Sequence, residues 1–222
     1  MLICISYAGN AQQKPNKRLS FCGWKYTDTS FIRSAFGKKL EFLRITNGET
    51  IVDVGSSSGA FEGSISVIGN FNKVNFVLVD IDTNCLNQQR VNNMIDYHSQ
   101  VRGTPIPATF SIVQNTVDSL YLPLNTYKKV LLMNTLHEVP DKQKIVRDIC
   151  AVLQKGGELI LDELVARPKH TIHGGCKQPL MDEAEIKTLF EQNGFRQADT
   201  LMNPANPKKI VNPEYMVRFI KN

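Results

Sequence analysis

The chain has 222 residues, of which 42% are hydrophobic, and a formal net charge of +5 at neutral pH. This length suits one globular domain, or a single core with an appended segment. It contains no run of about 18 apolar residues, and no basic residues precede the short apolar stretch at its start, unlike a signal peptide. We therefore expect no membrane segment and a cytoplasmic protein.

The distribution of the cysteines and of the basic residues indicates neither a disulfide framework nor a single basic surface. The five cysteines are scattered and form no C-x-x-C pair, so we predict reduced thiols, without a disulfide framework or a cysteine-based zinc site. The positive charge could favour an anionic substrate or RNA, but the basic residues form only small clusters such as KPNKR at 14–18. Nucleic acid is neither excluded nor favoured as a partner.

Predicted helices and strands alternate along the chain. Asp28, Thr29 or Ser30 can cap a first helix, which Asn47-Gly48 would end. Further on, hydrophobic periodicity predicts strands at 50–54, 75–79, 109–113, 128–134 and 158–163. It predicts helices at 59–68, after a cap at Thr83, at 141–153 and at 182–193. Gly156-Gly157 would stop the third of these helices, and Asp182 and Glu185 have the spacing of a capping box at the start of the fourth.

Two strands near 196–201 and 215–220 finish the chain with no helix between them. Alternating strands and helices indicate parallel pairing, whereas consecutive strands favour an antiparallel hairpin. We predict an α/β fold: a Rossmann-like, doubly wound, mainly parallel seven-stranded sheet with a C-terminal antiparallel hairpin.

Two segments are typical of a nucleotide-type ligand site. The run IVDVGSSSGAF at 51–61 ends a buried strand in a turn with two glycines, where the backbone can approach a ligand closely. About 21 residues beyond Gly59 the next strand ends in VDID at 79–82, where an acid can accept both hydroxyls of a ribose. The chain has neither G-x-x-x-x-G-K-[ST] nor G-x-G-x-x-G in this turn, which disfavours a P-loop and a dinucleotide site.

Four segments in this order and spacing carry a resemblance: IVDVGSSSG, FVLVDID, NTLHEVPDKQKIVRDICAVLQKGGELILDE and MDEAEIKTLFEQNGF. From about Gly48 to Phe195 the chain resembles the class I S-adenosylmethionine-dependent methyltransferases, particularly the small-molecule type. The resemblance implies S-adenosyl-L-methionine as cofactor and residues 48–222 as the domain that binds it. Residues 1–47 would form an N-terminal helical lid on the substrate side.

The resemblance also implies cofactor-binding residues. Within the family's D-x-G-x-G-x-G turn the middle glycine is replaced by a serine, and the turn would lie against the amino acid end of the cofactor. Asp80 would bind the ribose and Ile81 would pack on the adenine. The full set is Asp53, Gly55, Ser56, Ser57, Gly59, Asp80, Ile81, Asn115 and Asn134. Asn115 would accept a hydrogen bond from the adenine amino group, and Asn134 would lie beside the methionine part.

Methyl transfer from a sulfonium needs an aligned nucleophile, exclusion of water and a destination for any released proton. His137, three residues past the fourth predicted strand, is the candidate general base. A loop histidine that only packs or binds backbone is the open alternative, because an amine or thiolate acceptor needs no base. Glu138 and Glu163 are lesser candidates, which we interpret as solvated or structural.

A histidine- and cysteine-containing loop follows the fifth predicted strand. His170, His173 and Cys176 form H-x-x-H-x-x-C, but this spacing matches no common zinc signature, so no metal is expected. We interpret the segment KHTIHGGCKQP, together with the first helix, as a lid over the acceptor pocket; an ordinary surface connection is the alternative.

The sequence thus predicts an S-adenosylmethionine-dependent methyltransferase that acts on a small-molecule acceptor by in-line displacement. One alternative is an RNA or protein methyltransferase, although the fourth strand is followed by NTLHE and by neither N-P-P-Y nor D-P-P-Y. The other is a regulatory protein that binds the cofactor without transferring its methyl group. The acceptor atom and the oligomeric state are left open.

Overall fold

The computed structural model describes residues 20–23, 28–202 and 212–222. The elements of this part of the chain are, in order, α1 (Thr29–Leu43), β1 (Thr50–Val54), α2 (Ala60–Ile68), β2 (Val74–Asp80), α3 (Gln88–Arg102), β3 (Ala108–Gln114), β4 (Tyr127–Met133), a short 3-10 helix (Leu136–Glu138), α4 (Lys142–Val152), β5 (Leu153–Leu164), α5 (Glu183–Glu191), β6 (Phe195–Met202) and β7 (Glu214–Lys221). None of the described helices has the length and apolar composition needed to cross a membrane.

The seven strands form one sheet in the order β3-β2-β1-β4-β5-β7-β6. β1 to β5 pair in parallel, and β7 runs antiparallel to both β5 and β6. The predicted fold class is therefore confirmed, including the closing antiparallel hairpin. The strand order reverses between β1 and β4, and in open α/β sheets this switch point opens the crevice where ligands bind.

Helices cover both faces of the sheet. α1, α2 and α3 pack on one face, where Ile32, Phe61 and Met94 are buried against the strands. α4 and α5 pack on the other through Ile149 and Phe190. The sheet is thus the middle of three layers, which explains why its central strands are nearly continuous apolar runs.

The caps at two helices agree with the sequence. The Asp28 side chain accepts from the backbone N–H groups of Ser30 and Phe31, so Asp28 is the cap among the three candidates at α1. Asp182 and Glu185 form the predicted capping box at α5. α1 ends at Leu43, before Asn47-Gly48, because Arg44 takes a left-handed conformation with φ 47°.

Two predicted boundaries were wrong. Asn87, not Thr83, caps α3: its side chain accepts from the Arg90 N–H, and its amide donates to the Thr83 carbonyl, which ties the preceding residues into turns. Gly156 and Gly157 lie within β5 and do not separate it from α4, which ends at Val152. Gly156 has φ 74°, and the pairing of β4 with β5 shifts register beside these glycines, so they form an irregularity in the strand.

The prediction that all cysteines are reduced was also wrong. Cys22 and Cys85 form a disulfide, with Cα atoms 5.5 Å apart and 63 residues apart in sequence. Such a separation gives no local signal, and only the fold brings the segment 20–23 onto the residues that follow β2. Cys150 and Cys176 are free, and Cys4 lies outside the described residues.

Candidate functional site

The backbone of the turn between β1 and α2 passes close to neighbouring side chains and takes left-handed conformations. Gly55, Ser57 and Gly59 all have positive φ, at 81°, 53° and 77°. A Cβ on Gly55 would lie 2.4 Å from the Thr135 side chain, so the turn tolerates only glycine there. The buried Ser56 and the N–H of Gly55 bond the Val79 carbonyl, which ties the turn to the end of β2.

Asp80 lies directly beside this turn. Its carboxylate accepts from the Ser57 N–H at 2.7 Å and from the Asp82 N–H at 2.8 Å. Each carboxylate oxygen has a further lone-pair site, so these bonds orient the group and leave capacity for a ligand hydroxyl. The next side chain, Ile81, is 54% exposed, which is unusual for isoleucine and leaves an apolar face open beside Asp80.

The two predicted asparagines follow β3 and β4, two strands that β2 and β1 separate but whose carboxyl ends lie at the same edge of the sheet. Asn115 follows β3, and its N–H donates to the Asp80 carbonyl. Its Oδ1 is buried and has no hydrogen-bond partner among the described residues, so an acceptor is held ready without a donor. Asn134 follows β4 in a left-handed conformation, with φ 53°, and its N–H donates to the Asp162 carbonyl.

A buried pair of acids lies under the turn, and only one member was predicted. Asp53 and Glu62 are 2% and 0% exposed and lie close to each other. No described donor reaches Asp53 Oδ1 or either carboxylate oxygen of Glu62, so their contact requires a proton on one of them. Burial raises the pKa of both groups, and the charge of Glu62 raises that of Asp53 further. A glutamate inside the apolar helix sequence AFEGSISVI was the signal for Glu62.

A cavity of about 60 Å³ opens beside Asp53 and the turn, lined by Gly23, Asp53, Gly55, Ser56, Ser57, Ala60, Phe61, Met133 and Asp162. Asp162, at the end of β5, was not among the predicted site residues. Its partner is Lys39 of α1, with Nζ 2.7 Å from its carboxylate. Burial nevertheless raises the pKa of Asp162 to about 6.

The segment 20–23 closes one side of this cavity. Gly23 lines it, and the Ser58 hydroxyl donates to the Cys22 carbonyl at 2.7 Å. Residues before β1 therefore contribute to the site in two ways: Gly23 lines the cavity, and Lys39 of α1 pairs with Asp162. The division into a lid segment at 1–47 and a domain at 48–222 stays a prediction, and residues 1–19 and 24–27 lie outside the described residues.

His137 is buried in the short 3-10 helix after β4, and Glu163 fixes its orientation. His137 Nδ1 lies 2.8 Å from Glu163 Oε1, and the His137 backbone N–H donates to Glu163 Oε2 at 3.1 Å. The carboxylate selects the tautomer with the proton on Nδ1, which leaves a lone pair on Nε2. Nε2 is buried and has no hydrogen-bond partner among the described residues. Glu163 is itself only 3% exposed, so of its two interpretations, solvated or structural, the structure agrees with the structural one.

The loop at 166–179 approaches His137 from β5. The rings of His137 and His173 are 4.5 Å apart between centroids, and His173 Nδ1 lies 2.9 Å from Cys176 Sγ. His170 is exposed and pairs through its backbone with Arg167. The loop therefore contacts His137 through His173, and within the H-x-x-H-x-x-C pattern His173 and Cys176 lie side by side.

Comparison with known proteins relates this site to methyl transfer. A family model described as a methyltransferase domain matches residues 52–161. The ubiquinone/menaquinone biosynthesis C-methyltransferase UbiE of Enterobacter sp. is 27% identical over 120 residues, and that of Escherichia coli is 28% identical. These matches cover 54% of this chain and 44% of each relative, so the chain spans less than half the length of the curated relatives it matches.

Solved structures agree on the fold. An S-adenosylmethionine-dependent methyltransferase from Aquifex aeolicus superposes with a TM-score of 0.62 at 17% identity, covering 90% of this chain and 96% of that one. The [4+2]-cyclase SpnF superposes with a TM-score of 0.61 at 16% identity, covering 85% of this chain and 80% of that one. The family model covers the strands and turns that build the crevice, and residues 52–161 of the chain belong to this methyltransferase-domain family.

Proposed function

We propose that this chain transfers the methyl group of S-adenosyl-L-methionine, the cofactor of its family, to a small-molecule acceptor. The observation that carries the proposal is the convergence, at the switch point of the sheet, of a glycine turn, an oriented carboxylate at Asp80 and buried acceptors without donors. Buried polar atoms are normally paired. Unpaired acceptors at the carboxyl edge of three strands therefore favour a ligand that brings its own donors.

The residues fit the parts of this cofactor. Asp80 would accept from the ribose hydroxyls, Ile81 would pack on the adenine, and the orphan Oδ1 of Asn115 would accept from the adenine amino group. The turn at 55–59 would hold the amino acid end. The cavity there, of about 60 Å³, has room for part of the cofactor, and the nucleoside would lie over the open edge at Asp80 and Ile81.

The charge of the cavity supports a cationic ligand. Asp53 and Asp162 both line it, and burial raises the pKa of each. A nearby positive group favours the ionised form of such carboxyls. The ammonium and sulfonium groups of the cofactor would supply that charge, and the cofactor, when bound, provides an activated methyl group.

His137 is proposed to accept the proton that the acceptor releases. Glu163 holds its ring through Nδ1 and the backbone N–H, so Nε2 presents a fixed lone pair. Methylation at carbon requires removal of a proton, and the relatives named above are C-methyltransferases. Hydroxylated aromatic compounds, with an activated ring carbon, are therefore the first acceptors to test.

The first experiment is calorimetric titration of the purified chain with S-adenosylmethionine and S-adenosylhomocysteine, with NAD as control. We expect micromolar binding of the first two and none of NAD. Because the same fold occurs in a [4+2]-cyclase, binding alone does not establish transfer, and formation of S-adenosylhomocysteine with an acceptor is the second measurement. Absence of binding to either nucleoside would overturn the proposal.

A second experiment tests the role of His137. We expect His137→Ala to reduce turnover at least about tenfold, since general bases contribute roughly 10²–10⁴-fold, while affinity for the cofactor stays nearly unchanged. His170→Ala is the matched control, because His170 is an exposed histidine of the neighbouring loop. Equal turnover in both variants would return His137 to a packing role.

A further inference from the structure

His137, His173 and Cys176 form a compact group with the chemistry of metal ligands. One potential ligand atom from each of the three lies within 4.8 Å of the others. The group joins two loops at the carboxyl edge of the sheet: His137 follows β4, and the other two follow β5. Only the fold assembles it, since 36 residues separate His137 from His173 in sequence.

His137 is prepared as a ligand through Nε2. Its Nδ1 is bound to the buried carboxylate of Glu163, and its Nε2 is buried without a hydrogen-bond partner among the described residues. A carboxylate on the far nitrogen of a histidine fixes the tautomer and increases the basicity of the ligating nitrogen, which is the usual arrangement around protein-bound zinc. The orphan Nε2 is the second observation, independent of the cluster, that indicates a ligand here.

The loop places its two donors on one side. Cys176 donates its N–H to His173 Nδ1 at 3.2 Å, and its Sγ lies 2.9 Å from the same nitrogen. The backbone N–H of His173 donates to the Gln178 carbonyl and closes the loop around them. His173 is half-buried and Cys176 is exposed, so metal ions in solution can reach this side of the group.

We propose that His137, His173 and Cys176 bind a zinc ion. Two imidazoles and one thiolate are a soft donor set that suits Zn²⁺ and disfavours Mg²⁺. Ligand bonds of about 2.0–2.3 Å require the three donor atoms to lie closer together than the 4.8 Å within which they now lie. Movement of the loop side chains His173 and Cys176 can bring them together. Glu138 Oε1 lies 3.6 Å from His137 Nε2 and is available for the fourth position, which water can also fill.

Zinc and the proposed base role compete for one lone pair. A metal on His137 Nε2 prevents that nitrogen from accepting a proton, so the zinc-loaded chain would be inactive in reactions that need the base. This consequence rests on the proposed function, whereas zinc binding itself does not.

The test is calorimetric titration of the chelator-treated full chain with Zn²⁺, with Mg²⁺ as control, and the spectrum of the Co²⁺-loaded chain as an independent readout. We expect one Zn²⁺ per chain and a thiolate-to-Co²⁺ charge-transfer band. His173→Ala and Cys176→Ser should each weaken Zn²⁺ binding at least tenfold, and Cys176→Ser should abolish the band. His170→Ala and Cys150→Ser, which change the other loop histidine and the other described free thiol, should leave both unchanged.

Absence of Zn²⁺ binding, or equal binding by the wild type and the Cys176→Ser and His173→Ala variants, would overturn the zinc site. Circular dichroism of each variant checks that the fold is retained. Cofactor titration of the same samples separates the two proposals: zinc binding without cofactor binding would remove the methyltransferase proposal alone, and the reverse result would remove the zinc site alone.

Discussion

On one face of the sheet, buried charges are paired more completely at the amino ends of the strands than at the carboxyl ends. Toward the amino ends of the strands, Lys129 is 1% exposed and its ammonium bonds Glu49, Glu158 and the Arg44 carbonyl. Toward the carboxyl ends Asp162 pairs with Lys39, but Asp53 and Glu62 meet without any described donor. Burial of charge is costly unless it is paired. We call the region around Lys129 the paired end, because its buried charges stabilise one another. We call the region around Asp53 and Glu62 the unpaired end, which lies where we propose that the cofactor binds.

Arg218, at the paired end, extends this contrast. It bonds Glu158 and the Phe42 carbonyl, and its guanidinium stacks over the Phe42 ring at 4.9 Å from the centroid. Its Nε alone lacks a partner among the described residues. Even here one donor lacks a partner, whereas toward the carboxyl ends both carboxylate oxygens of Glu62 and one of Asp53 lack a described donor.

The largest expected effect distinguishes the two ends through glycines with similar backbones. Gly55→Ala should cost about 3–5 kcal/mol of folding free energy, because a left-handed conformation is combined with a clash against Thr135. Gly156→Ala, at φ 74° with open space around its Cβ, should cost only about 1–2 kcal/mol. Urea unfolding measures both. Equal costs would show that Thr135 gives way and that the turn is not tightly packed.

Removing the cation at the paired end should destabilise the chain. Lys129→Met leaves Glu49 and Glu158 without their common partner, and because both acids are partly exposed we expect a loss of about 2–4 kcal/mol. Lys144→Met is the control, since its pair with Asp148 is more exposed. A loss in Lys129→Met no larger than in the control would mean that the buried network is replaceable by apolar packing.

Asp80 tests whether the unpaired end binds the cofactor. Asp80→Ala should weaken S-adenosylmethionine binding by about 1–3 kcal/mol, through lost charged hydrogen bonds. Asp82→Ala changes the other acid of VDID, which bonds only the backbone nearby, and should bind nearly as the wild type does. Calorimetry that finds unchanged affinity in Asp80→Ala would remove this residue from the site.

The smallest expected effect has the opposite sign. The pKa values of Asp53 and Glu62 are raised above their ordinary 3.8 and 4.5 in the fold, so their stabilising contribution is present at low pH and is lost as pH rises through the raised values. Glu62→Gln removes one charge and adds a donor for Asp53. We expect a gain of about 1–2 kcal/mol at pH 8 and a smaller one at pH 5.

Thermal and urea unfolding at the two pH values check this result. Glu158→Gln, at the paired end, is the matched control and should lower stability because Lys129 and Arg218 lose a charged partner. If Glu62→Gln lowers stability at pH 8, then Glu62 has a stabilising partner and the contrast between the two ends fails.

Local sequence was sufficient for the fold and for much of the candidate site. The run IVDVGSSSG predicted β1 and its turn, because apolar strands and glycines at a turn are properties of neighbouring residues. The acid of VDID could be placed beside that turn because parallel strands end at one edge. Lys39, Glu62 and Asp162 were not predicted, because tertiary packing places Asp162 in the cavity wall, Lys39 against Asp162 and Glu62 against Asp53.

By itself, the sequence determined the order of strands and helices, the doubly wound sheet, and the methyltransferase family with its cofactor. These features could be predicted because hydrophobic periodicity and turn-forming residues are properties of short stretches of sequence. Only the tertiary structure decided the partners of residues far apart in the chain. It joined Cys22 to Cys85, oriented His137 with Glu163, and brought His137 to His173 in place of His170. Those contacts depend on the packing of separate elements, which no local spacing encodes.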